Sequence, residues 1–118
     1  MRRSKMILAT VLVAMGFLFQ TLHAQEPERV VRITAKQFAF DPSEVVLRKG
    51  EPVVLEFVSL DKNHGFRVPA LGIRIDIRPG DTSRIRLVPQ QTGRFPFECD
   101  VFCGEGHEDM TGELVVVE

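Results

Sequence analysis

From Val30 onward the chain is cut into short β-branched runs, each closed within a few residues by a turn signal. Residues 30–35 open the series, and Phe38-Ala39-Phe40 runs up to Asp41-Pro42. Residues 44–48 end at Lys49-Gly50, and residues 53–59 begin just after Pro52. Phe66-Arg67-Val68 follows a polar stretch, Asp61-Lys62-Asn63-His64-Gly65, read as a loop. Ile73, Ile75 and Ile77 alternate with Arg74, Asp76 and Arg78, the period of two of a half-buried strand. Pro79-Gly80-Asp81 turns the chain, residues 83–87 alternate again, and Phe95-Pro96-Phe97 and Leu114-Val115-Val116-Val117 complete the pattern. Such punctuation leaves no room for a long amphipathic helix. It predicts an all-β antiparallel sandwich of seven or eight short strands with Greek-key connections. Residues 53–59, the most apolar run after residue 24, are expected to be a buried central strand, and Pro52 stands where a missing N–H is tolerated.

The first two dozen residues stand apart. Arg2, Arg3 and Lys5 precede an uncharged, mostly apolar run from Met6 to Phe19, and a polar stretch then ends in the small residue Ala24. This is the pattern of an export signal, so residues 1–24 are read as a signal peptide and 25–118 as one domain. The apolar run is shorter than the roughly 18–20 residues of a spanning helix, and membrane attachment would require the signal to stay as an uncleaved anchor. The expected location is the periplasm. Beyond Ala24 stand 12 basic against 16 acidic residues, a balance that argues against nucleic acid as partner.

Both cysteines fall in one stretch, Cys99 to Met110, with the spacing C-x3-C-x3-H-x2-M over Cys99, Cys103, His107 and Met110. Two thiols, an imidazole and a thioether form a soft donor set suited to copper rather than magnesium or calcium. Three other readings compete. A disulfide is the usual fate of paired cysteines in an exported chain, but it would close a very short loop and remove little chain entropy. Zinc would accept Cys99, Cys103, His107 and His64 and leave Met110 surplus. A single blue copper would need one cysteine and leave the other idle. Two coppers bridged by both thiolates leave no donor unused. The remaining methionines, Met1, Met6 and Met15, lie in the leader, so Met110 is the only one of the domain.

These residues carry a resemblance. Asp61-Lys62-Asn63-His64, Val68-Pro69-Ala70-Leu71-Gly72-Ile73, Asp76 and Pro79-Gly80 precede the loop in the order seen in cytochrome c oxidase subunit II. The loop has that family's ligand spacing, including Gly104 after the second cysteine, and the copper domain of nitrous oxide reductase shares it. The resemblance implies a cupredoxin fold and a CuA-type centre, a pair of copper ions that transfers single electrons. It implies Cys99 and Cys103 as bridges, His64 and Met110 on one copper, and His107 with the backbone carbonyl of Val101 on the other. The sequence also departs from that family. Val101 replaces the acidic residue usual between the cysteines, the chain contains no Trp, and no paired membrane helices are evident. The chain is therefore expected to resemble a free-standing exported relative rather than an oxidase subunit.

Glu98, Asp100, Glu105, Glu108 and Asp109 surround the loop with five carboxylates. They form either a solvated loop or an acidic rim that steers a basic redox partner such as a c-type cytochrome, or a cuproenzyme. Electron transfer is the leading expectation, and a periplasmic copper chaperone or storage protein is the second. Enzymatic catalysis ranks last, because a centre with every ligand position filled offers substrate no open site.

Overall fold

The structure is a computed structural model that describes residues 28–118. The expected leader and its boundary at Ala24 lie outside the described residues. Nine strands form two sheets: β1 (Arg29–Lys36), β2 (Ala39–Asp41), β3 (Glu44–Arg48), β4 (Val53–Ser59), β5 (His64–Val68), β6 (Ile73–Ile77), β7 (Ser83–Leu87), β8 (Gly93–Glu98) and β9 (Thr111–Val117). Two single 3-10 turns, Pro69–Leu71 and His107–Asp109, are the only helical elements among the described residues. No helix among them is long and apolar enough to cross a membrane.

One sheet has the order β2-β1-β4-β7 and the other β3-β9-β8-β5-β6. The all-antiparallel expectation is corrected at two places: β1 pairs parallel with β4, and β3 parallel with β9. The cause lies in the crossings. Asp41-Pro42 carries the chain from the first sheet to the second and Lys49-Gly50 returns it, so β3 and β4 each land beside a strand remote in sequence. Strand β4 is central and buried on alternate residues, with Val53, Leu55 and Phe57 at 0–2% exposure. Pro96 has no N–H to offer a two-sided ladder. Strand β8 pairs along its whole length with β9 but meets β5 only at Arg67 opposite Glu98.

Between the sheets lies a core of aliphatic residues and four phenylalanines. Phe66 packs at a tilt, 4.5 Å from Phe57 and 4.8 Å from Phe97 centroid to centroid, and Phe40 meets Phe66 and Phe97 edge-on at 5.9 and 5.3 Å. Such pairs add about 0.5–1.5 kcal/mol each beyond the area they bury. This cluster lies directly beneath the end of the sandwich where the β1–β2 turn, the β4–β5 loop and the β8–β9 loop gather.

Candidate metal centre

The strand period itself aims the donors inward. In β5, His64 precedes Phe66 and Val68 on the core-facing side, and all three are at most 1% exposed. Beyond β8, Cys99 continues the inward series of Phe95 and Phe97, and ahead of β9, Met110 begins the one that Leu114 and Val116 complete. His64 is thus the first residue of a strand and not, as expected, a member of the preceding loop. A period-two register explains how a histidine next to a polar stretch is buried.

His64, Cys99 and Cys103 form a buried group in which one donor atom of each lies within 4.8 Å of the others. Both cysteines are free thiols, not a disulfide. Around them sit the other expected donors. The His107 Nδ1 and Met110 Sδ atoms are 3.7 and 3.9 Å from the Cys103 sulfur, and the Val101 carbonyl oxygen is 3.2 Å from the Cys99 sulfur. All six residues singled out in the sequence therefore meet at one end of the sandwich. Met110 is wholly buried, Cys99 and Cys103 nearly so, and His107 is half-buried.

The hydrogen bonds around the cluster orient it. Nε2 of His64 lies 2.6 Å from Asp61 Oδ1, while Nδ1 is a buried side-chain atom with no partner. A buried polar atom left unpaired is costly unless it has another role. Here the orphaned nitrogen belongs to the ring grouped with two sulfurs, as a metal ligand requires. Burial pushes the Asp61 carboxyl upward, but hydrogen bonds from the Gln37 N–H, His64 and the Lys62 N–H outweigh it and hold the group at about 2. Asp61 is thus an ionised acceptor that keeps the proton of His64 on Nε2. Burial, followed by the nearby Cys99, pushes the Cys103 thiol from 9.0 to about 11. Buried beside a second sulfur, the Cys103 thiol resists ionisation until a cation compensates it. The Gly65 N–H points at the Cys99 sulfur at 3.5 Å, and the Cys99 N–H donates to the Met110 carbonyl at 3.0 Å, closing the loop base.

The five carboxylates are not one rim. Arg74 grips Asp100 with two contacts of 2.7 and 3.2 Å, and Arg67 reaches Glu98 at 3.4 Å. Glu105, Glu108 and Asp109 are exposed and form no ion pair among the described residues. Gln37 and Phe38, on the β1–β2 turn, also border the cluster, and nothing in the sequence singled them out. The only hint was indirect: Gly104 and Gly106 flank Glu105, as if a neighbour pressed on that stretch.

Residues 8–116 match the model of the cupredoxin-like domain family. Cytochrome c oxidase subunit 2 of Thermus thermophilus is 32% identical over 88 residues, covering 75% of this chain and 65% of that protein. Nitrous-oxide reductase of Cupriavidus necator is 32% identical over 90 residues, 73% of this chain and 14% of that protein. The chain thus spans less than two thirds of either relative. Among solved structures, the periplasmic domain of subunit II of cytochrome oxidase from Bradyrhizobium japonicum superposes with a TM-score of 0.71 at 23% identity, covering 79% of this chain and 86% of that one. At that identity the likeness is one of fold.

Proposed function

The chain belongs to the cupredoxin-like domain family, and on that premise we propose that it is an exported copper protein whose binuclear, CuA-type centre passes single electrons between periplasmic redox partners. The observation that carries this reading is the buried grouping of His64, Cys99 and Cys103, with His64 Nδ1 left without a protein partner. Homology to oxidase subunit II and nitrous-oxide reductase supports copper as the metal. In this reading residues 1–24 are a leader and 25–118 the copper domain.

Cys99 and Cys103, both free thiols in the group, would hold the copper as thiolates after losing their protons to solvent. His64, Met110, His107 and the Val101 carbonyl would supply the remaining donors. A copper pair held there supplies a reversible one-electron step. Asp61 holds the His64 ring, and Phe66 and Phe97, each two residues along the chain from a donor, are buried in the core. With all six donors committed, no position is open to substrate, so the protein acts as a carrier and not as an enzyme. Glu105, Glu108 and Asp109 present negative charge to a basic partner such as a c-type cytochrome or a cuproenzyme.

The test is copper stoichiometry together with electron paramagnetic resonance of the loaded protein. Two coppers per chain, with hyperfine coupling to two equivalent nuclei, is the expected result. One copper per chain with single-nucleus coupling would overturn the binuclear assignment. Transfer of the metal to an apo acceptor, without electron exchange with a cytochrome, would replace electron transfer by copper delivery.

A further inference from the structure

We propose that the β1–β2 turn is a third wall of the metal centre, and that Gln37 is a positioning residue joining the histidine arm of the site to its cysteine arm. This inference rests on the copper reading above.

Gln37 acts through two different groups. Its backbone N–H donates to Asp61 Oδ2 at 2.8 Å, and the other oxygen of that carboxylate holds His64 Nε2 at 2.6 Å. Its side-chain amide, Nε2, donates to the carbonyl oxygen of Cys103. One exposed turn residue thereby closes a continuous hydrogen-bonded path, His64–Asp61–Gln37–Cys103. The path crosses three chain segments, with Gln37 24 residues from Asp61 and 66 from Cys103.

The packing on the same turn points the same way. A Cβ placed on Gly104 would lie 2.7 Å from Gln37 Nε2 and 3.2 Å from the Phe38 ring, and one on Gly106 would lie 3.2 Å from that ring. Both glycines have positive φ, +134° and +103°. The stretch between Cys103 and His107 therefore lies flat against Gln37 and Phe38, at a distance only glycine permits. Without this wall that stretch keeps only its own turn bonds, such as His107 N–H to the Gly104 carbonyl at 3.2 Å. Hydrogen bonds that orient ligands in this way typically govern metal affinity by one to two orders of magnitude. The Cys103 carbonyl is one bond from the ligand's own Cα, so a shift there moves the sulfur.

Two substitutions in the full chain separate the hydrogen bond from bulk. Gln37→Ala removes the side chain, while Gln37→Glu keeps its size and replaces the donor with an acceptor that cannot bond the Cys103 carbonyl. The readouts are the rate of Cu(I) loss to bicinchoninate, the reduction potential, and the thermal midpoint of the metal-free protein. Both variants are expected to lose copper about tenfold faster or more, with a shifted potential and an unchanged metal-free midpoint. Gln37→Glu behaving as wild type would overturn the role of the amide. A matching loss of midpoint in the metal-free variants would make Gln37 a folding residue and overturn it as well. A wild-type protein that forms no copper centre would instead refute the copper reading itself.

Discussion

The carboxylate of Asp61 holds the imidazole of His64 through Nε2 at 2.6 Å, and the same ring is grouped with the Cys99 and Cys103 thiols. The bond occupies Nε2, and Nδ1 is left buried and without a protein partner. Asp61 belongs to the polar stretch before β5, so four consecutive residues, Asp61 to His64, carry both the candidate ligand and its orienter.

Removing that orienter should weaken the site without dismantling the fold. Asp61→Ala is expected to lower copper affinity about tenfold or more, measured by chelator competition, because the ring can then rotate and change tautomer. An affinity within twofold of wild type would mean that packing alone orients His64.

Asp100 is held across Gly65 by Arg74, and a Cβ on Gly65 would fall 2.0 Å from Asp100 Oδ1. Gly65→Ala should therefore cost about 1–3 kcal/mol in urea unfolding, as overpacking does. Arg74→Ala in the same chain should recover part of that loss by freeing Asp100 to move. Strict additivity of the two changes would show that Arg74 does not pin the carboxylate.

In the metal-free protein the raised Cys103 thiol makes stability depend on alkaline pH. The unfolded chain releases this proton near 9.0 and the folded one near 11. The unfolded state thus binds fewer protons between these values, and stability must fall as pH rises through 9 to 11. Urea titrations across that window should show the decline, and Cys103→Ser should flatten it. A profile unchanged by the substitution would assign the decline to other groups.

Charge on the loop should matter unequally. Neutralising Glu105, Glu108 and Asp109 together is expected to slow association with a basic cytochrome and flatten its salt dependence, because these carboxylates are exposed. Glu98→Gln should change the rate less, since Arg67 already faces that carboxylate at 3.4 Å. Equal effects would mean that the partner sees only net charge. Stopped-flow rates over a range of ionic strength distinguish the two.

The sequence by itself determined what is written in local patterns. The bounds read from alternation and turn residues coincide with β3, β4, β6 and β7, since side chains alternate across a strand whatever lies beside it. The donor spacing from Cys99 to Met110 was legible for the same reason: four candidate donors of one short loop need no distant contact to be recognised as a set. Tertiary structure alone decided which strands became neighbours, making β1–β4 and β3–β9 parallel, and it made His64 the buried head of a strand. It also took Asp100 and Glu98 out of the acidic rim by setting arginines against them, and it brought Gln37, 66 residues away, onto the Cys103 carbonyl. Those contacts arise from how two sheets are stacked and where their loops gather. No period or spacing along the chain encodes that geometry.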